Sequence, residues 1–203
     1  MRLIVLVLLI ILIGVFCFLF YPVIKAEINL FLLNNNYFKF QIEVVEKKPR
    51  KITPIDNQFG IVINKIGATG KIVDTYSNSN ISSLQYILRT GLVHLSDSAY
   101  PGKYGNMVII SQIPGDWYNT TRSNPEFYLV YKLLPKDIIQ VFYNGYEFNY
   151  EVTNILKVNE DQVSDFTVNS DSKKSLTILS GWPPGTIWQR LIILAELVED
   201  QSI

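Results

Sequence analysis

Cysteine and histidine are almost missing from this chain: Cys17 is the only cysteine and His94 the only histidine among 203 residues. Cys17 sits inside an apolar run near the N terminus. The remainder therefore has no thiolate nucleophile, no intrachain disulfide and no thiolate metal site. A single histidine also excludes a multi-histidine metal centre, so no metal and no cofactor is expected. Charge of one sign is lacking too. Eighteen basic side chains balance eighteen acidic ones, and setting Arg2 aside leaves 17 basic against 18 acidic after residue 24. Without a basic field there is no electrostatic footprint for nucleic acid, and no nucleic-acid partner is expected. Beyond Asn34-Asn35-Asn36 there is no low-complexity tract, and no internal repeat.

What is present begins with hydrophobicity. Leu3 to Phe20 carries no charge, and Tyr21 to Ile24 extends the run to 22 residues. As a helix rising about 1.5 Å per residue, it would cover roughly 30 Å, the thickness of a bilayer's hydrocarbon. A cleaved signal peptide has a shorter apolar region, followed by a small-x-small site. Here Tyr21-Pro22-Val23-Ile24 leads into Lys25 without such a site. The expectation is a retained transmembrane anchor over 1–24 and a stalk or linker, partly helical, over 25–51. The main domain then covers 52–203. Arg2 and the amino terminus face Lys25 across the run, a weak positive-inside bias for a cytoplasmic N terminus.

From Ile52 onward, short β-branched and aromatic runs alternate with Gly, Pro, Asn and Asp. Strands are expected over Phe59–Ile63, Lys71–Val73, Met107–Ser111, Ile138–Tyr143, Phe148–Val158, Ser175–Leu179 and Leu191–Val198. Asn144-Gly145 marks the clearest hairpin, because a two-residue type I′ turn needs positive φ at both central positions. Ile81–Arg89 has helical spacing, and Phe127–Leu134 reads as a second short helix or turn. This rhythm gives an all-β class, a closed β-barrel with a few short helices, in which closure removes exposed strand edges.

Three segments stand in an informative order. Leu92-Val93-His94, Ser98-Ala99-Tyr100-Pro101-Gly102 and Gly105-Asn106-Met107-Val108-Ile109-Ile110 resemble the sortase stretch "G-x-x-H, small residues, P-G, G-N, apolar strand, catalytic histidine". Phe127 to Ile138 resembles the family's "F-x-x-L…G-D" connection, with Lys136-Asp137 where Gly-Asp is usual. Leu176-Thr177-Ile178-Leu179-Ser180-Gly181-Trp182-Pro183, followed by Arg190, is similar to "T-L-x-T-C, aromatic, P…R". The resemblance spans roughly Phe59 to Leu197. It implies a sortase-like barrel tethered to the outer face of a bacterial plasma membrane, with an extended peptide or surface protein as partner.

The resemblance also implies a specific loss. Sortases attack a threonyl carbonyl with a cysteine thiolate, protonate the leaving amine with a histidine and stabilise the site with an arginine. Carried over by position, the cysteine falls on Gly181 and the histidine on Gln112, whose amide does not titrate. Only Arg190 persists. Ser180 adjoins Gly181, but neighbouring strand residues point to opposite faces. His94 matches the upstream family histidine, which is not the general acid. Arg190, His94, Ser180 and Trp182 are candidate lining for a peptide groove. Arg190 has the alternative of pairing with an acidic neighbour, and Trp182 and Trp188 that of closing the barrel end. The favoured expectation is an inactive sortase-like binding, scaffold or regulatory module. The alternatives are an acyl transferase with relocated catalytic residues and a structural envelope protein.

Overall fold

A computed structural model describes residues 2–39, 52–74, 86–88, 91–111, 125–167, 172–184, 186 and 188–202. The N-terminal helix α1 runs Arg2–Lys39, well past the expected end of the anchor at residue 24. It is bent by 69° between Arg2–Phe18 and Val23–Leu32. Pro22 lies at that junction, where it cannot donate an N–H to the helical ladder, a common cause of sharp kinks. Among the described residues no single helix is long and apolar enough to cross a membrane, while the two legs of α1 pass that test together.

Eight strands form a closed barrel: β1 (Phe59–Ile63), β2 (Ala68–Asp74), β3 (Leu92–His94), β4 (Gly105–Ile110), β5 (Ile138–Tyr143), β6 (Tyr146–Val158), β7 (Lys174–Trp182) and β8 (Gln189–Ser202). Around the wall the order is β1-β2-β3-β4-β7-β8-β6-β5, closing back on β1. Two pairings are parallel, β2 with β3 and β4 with β7, and the others antiparallel. The expected strands are all present, most of them longer than the sequence suggests. β3 was not anticipated as a strand. It is three fully buried residues, too short to show alternation. Asn144 and Gly145 turn the β5–β6 hairpin with φ of 50° and 78°, as a type I′ turn requires.

Alternation along the strands divides the apolar residues into two layers. Inside the barrel Ile61, Ile63, Leu92, Met107, Ile109, Val141, Leu176, Ile178, Leu191 and Ile193 form the main core. On the outer side Val108, Val158, Leu179 and Ile192 form a second cluster, with Val163 and Phe166 packed against it. Those two belong to the connection between β6 and β7, a 3-10 turn at Glu160–Gln162 followed by a helical turn at Ser164–Thr167. The Gln162 side chain accepts from the Asn159 N–H at 3.0 Å and fixes the start of the 3-10 turn, as in a capping box.

Phe127–Leu134 corresponds to a 3-10 helix over Pro125–Lys132 that contributes Phe127, Leu129 and Val130 to the main core. Of the expected helix Ile81–Arg89, residues 86–88 are helical and the rest lies outside the described residues.

Candidate functional site

Gly181 and Arg190 are directly opposed in the β7–β8 ladder, and Arg190 is opposed to Val158 on its other side. Directly opposed residues of antiparallel strands share a face. Gly181 and Arg190 therefore look outward, next to Leu179 and Ile192 of the outer cluster. The neighbouring strand β4 ends here as well. It runs parallel to β7 with Ile110 beside Leu179, and Ser111 donates to the Leu179 carbonyl from both its backbone N–H (2.9 Å) and its hydroxyl (3.1 Å). Gln112, the next residue, lies outside the described residues.

The space above Gly181 is taken. A β-carbon placed on it would lie 2.4 Å from the Thr186 carbonyl oxygen. That oxygen belongs to a turn following β7, held by bonds from the Thr186 N–H and hydroxyl to the Pro183 carbonyl, both 2.8 Å. The contact is with backbone, so trimming a side chain does not relieve it. Arg190 is also engaged: its Nη2 donates to Glu160 Oε1 at 2.9 Å, with the arginine side chain 11% exposed and the glutamate 80% exposed. The partly buried cation thus meets a carboxylate that reaches in from the β6–β7 connection. A pair with one partner so exposed adds at most about 1 kcal/mol, so another carboxylate could exchange with it.

The other candidate residues face inward. Ser180 is buried beside Leu176 and Ile178 on the inner side of β7. Trp182 packs on the edge of the main core, its ring 5.8 Å from that of Tyr131, with Lys157 Nζ 3.9 Å from its ring centroid. Trp188 is 78% exposed. His94 is fully buried against Phe59 and Tyr100. Its Nδ1 donates to Asp74 Oδ1 at 2.6 Å, and its Nε2 lies 3.0 Å from the Ala99 carbonyl and 3.1 Å from Ser98 Oγ. The structure thus brings Gly181 and Arg190 together on the outer face, and places His94, Ser180 and Trp182 on the inner one.

This barrel, with its β4 and β7 ends side by side and an arginine opposed to the β7 terminus, is a recognisable arrangement. The Sortase domain family model matches residues 61–198. The chain belongs to the sortase family. Solved sortases share the fold at low identity. The sortase D5 transpeptidase of Clostridium perfringens aligns with a TM-score of 0.57 and 23% identity over 81% of this chain and 95% of that one. Clostridium perfringens sortase C with its C-terminal cell wall sorting motif aligns at 0.57 and 22%, over 88% of each chain. Sortase A of Corynebacterium diphtheriae aligns at 0.56 and 22%, over 74% of this chain and 63% of that one. A comparison with curated protein sequences gave no match.

The acidic neighbour expected as one reading of Arg190 is present, and it is Glu160. Two features of this candidate site were not foreseen from sequence, the Thr186 carbonyl over Gly181 and the Asp74 partner of His94. Each depends on strand register or on a turn, and none on a local motif. A cleft of about 230 Å³ lies elsewhere, lined by Asn106, Asp165, Phe166, Lys173, Ser175 and Glu196 among others. It opens on the first half of β7, away from Gly181.

Proposed function

We propose that this sortase-family domain no longer performs cysteine transpeptidation and works instead as a binding, scaffold or regulatory module on the outer side of a bacterial plasma membrane. One observation carries the reading: the Cβ direction at Gly181, the position matching the family nucleophile, is closed by the Thr186 carbonyl oxygen at 2.4 Å. A thiol has been lost, and the neighbouring turn has settled into its place. Gln112, one residue beyond the Ser111–Leu179 contact, is proposed to stand where the family has its acid. Arg190 keeps a guanidinium that can bind a carbonyl or carboxylate through several donors. An extended peptide is the partner this favours, with Glu160 as the group it displaces. Residues 1–24 act as the membrane anchor, with the N terminus cytoplasmic, and 52–203 as the extracytoplasmic barrel.

The test incubates the full chain in detergent with a sorting-signal peptide and follows it by intact mass and by peptide fluorescence anisotropy. The expected result is saturable binding without any acyl adduct. A thioester or ester adduct would overturn the reading, and absence of binding would leave a structural envelope role in its place.

An enzyme with relocated chemistry has one observation in its favour. Ser98 Oγ, His94 and Asp74 stand in hydrogen-bonded sequence, as nucleophile, base and orienting acid do in serine hydrolases. The resemblance is undone at Ser98. Its hydroxyl donates to the Leu95 carbonyl at 2.6 Å and accepts from the Val108 N–H at 3.0 Å, while His94 Nε2 occupies a third direction. An oxygen so surrounded has no free approach to a carbonyl carbon. A fluorophosphonate probe should label nothing, and an adduct on Ser98 would reinstate the enzyme.

A further inference from the structure

The second leg of α1, Val23–Leu32, has two apolar sides. Ala26 and Leu30 are 2% and 7% exposed and belong to the main core cluster of the barrel. Glu27 fixes that attachment by accepting from the Tyr131 hydroxyl at 2.9 Å and from Lys132 Nζ, both on the 3-10 helix after Pro125. At 100° per residue, Ile24, Ile28, Phe31 and Leu32 fall on the opposite side of the helix. They are exposed by 37%, 52%, 62% and 52%. Lys25 and Asn29, both exposed, lie along the border between the two sides. A helix with protein on one side and bare apolar side chains on the other needs a second apolar phase.

Continuity with the first leg says what that phase is. From Leu3 to Phe16 every large apolar residue with a described side chain is about half exposed or more, so this leg is covered by hydrocarbon if it is the anchor. The second leg follows after the 69° bend. If the first leg runs along the bilayer normal, the second lies 21° from the bilayer plane. We propose that Val23–Leu32 is an interfacial helix that holds the barrel directly on the lipid surface, its Ile24–Ile28–Phe31–Leu32 face in the boundary between headgroups and acyl chains. Lys25, at the edge of this face, can extend its ammonium to the headgroups. The barrel is then seated on the membrane by the Ala26, Glu27 and Leu30 contacts, rather than tethered at a distance by a stalk.

This inference rests on the anchor reading of residues 1–24, and the experiment separates the two. The full chain, with Cys17→Ser, receives one cysteine at a time at Ile10, Ile24, Ile28, Phe31 or Tyr104. Each is labelled with an environment-sensitive fluorophore and reconstituted into phosphatidylcholine–phosphatidylglycerol vesicles containing lipids with spin-label quenchers at known depths. The label at Ile10 should be quenched deep in the bilayer. Those at Ile24, Ile28 and Phe31 should be quenched shallowly, within about 4 Å of one another for a leg tilted by 21°. A leg continuing along the normal would spread them over about 10 Å. The label at Tyr104, on the barrel and 69% exposed, should escape quenching. Quenching at Ile10 without quenching at Ile28 and Phe31 would overturn the interfacial helix and keep the anchor. Loss of quenching at Ile10 would overturn the anchor itself. Oxidative cross-linking between copies through Ile28→Cys, with no quenching there, would assign the face to a second copy of the chain and refute the lipid proposal.

Discussion

Replacing Gly181 with alanine gives a stability change whose sign tests the closure of the site. In an open strand position, alanine is better than glycine by roughly 0.5–1 kcal/mol, because glycine loses more backbone freedom on folding. Here the added methyl group would begin 2.4 Å from the Thr186 carbonyl oxygen, 1.0 Å inside the 3.4 Å where ordinary contact starts. Relief requires the 183–186 turn to move. That strains the two 2.8 Å bonds from Thr186 to the Pro183 carbonyl and the 3.4 Å bond from the Tyr128 hydroxyl to the Pro184 carbonyl. Overpacking of this kind costs about 1–3 kcal/mol. Net of the entropic gain, the midpoints of these ranges leave Gly181→Ala destabilised by about 1 kcal/mol, lowering Tm by roughly 2–4 °C for a domain of this size. Thermal unfolding followed by circular dichroism measures it.

Thr186→Ala removes the hydroxyl bond and loosens the turn. The double variant should therefore be more stable than the two single effects added together, by about 0.5 kcal/mol or more. In Gly181→Cys, the thiol should react with iodoacetamide more slowly than free cysteine. Adding Gln112→His should not bring acylation unless the turn is also freed. A Gly181→Ala variant as stable as the parent or more so, together with a fast-reacting thiol at 181, would refute the closed-site argument.

Other outcomes follow from the same contacts. Glu160→Gln should leave stability within about 1 kcal/mol, since the pair is open to solvent on the glutamate side. It should tighten binding of a peptide carrying a carboxylate, and Arg190→Ala should abolish that gain in an anisotropy titration. His94→Leu should destabilise by about 1–3 kcal/mol in urea unfolding, because it removes the buried ring's bonds to Asp74, the Ala99 carbonyl and Ser98 Oγ. Burial pushes the Tyr150 hydroxyl up to about 12 from 10.0, opposed by the hydrogen bond donated by the Gly102 N–H. A raised pKa in the folded state means that stability is intact below about pH 10 and declines toward pH 12, as only the unfolded chain ionises. The full loss is on the order of 3 kcal/mol. Tyr150→Phe should flatten this alkaline limb in urea melts at pH 9 to 12.

The barrel was legible because its strands are separated by strong punctuation: Asn144-Gly145 fixes a hairpin, and Pro101-Gly102 precedes β4. β3 was hidden because Leu92, Val93 and His94 are all buried, which leaves no polar alternate to signal a strand. The outer cluster was hidden for a different reason. Val163 and Phe166 sit in two short turns of mostly polar residues, and only the fold puts them over Val108, Leu179 and Ile192. At the candidate site, the motif order pointed to Gly181 and Arg190, and the β7–β8 register sets these two opposite each other. What occupies them could not be read. Glu160 is 30 residues from Arg190, and the Thr186 oxygen is a backbone atom that no residue type advertises. The helix also extends further than hydropathy suggests, since Ala26 and Leu30 pack into the barrel core past the end of the apolar run.

Closure of the wall has a consequence for recognition. β5 meets β1, β8 lies between β6 and β7, and the short β3 is extended by bonds from the Leu95 and Ala99 N–H groups to the Val108 and Asn106 carbonyls of β4. No described strand of the barrel lies at the border of an open sheet. The peptide partner proposed above would thus gain no affinity by β-augmentation along the described strands, where main-chain bonds supply binding whatever the sequence. It would be read through its side chains and termini by loops and by groups such as the Arg190 guanidinium. Recognition built in that way discriminates among sequences more sharply than strand addition, and the same closure protects the barrel from pairing edge to edge with other copies.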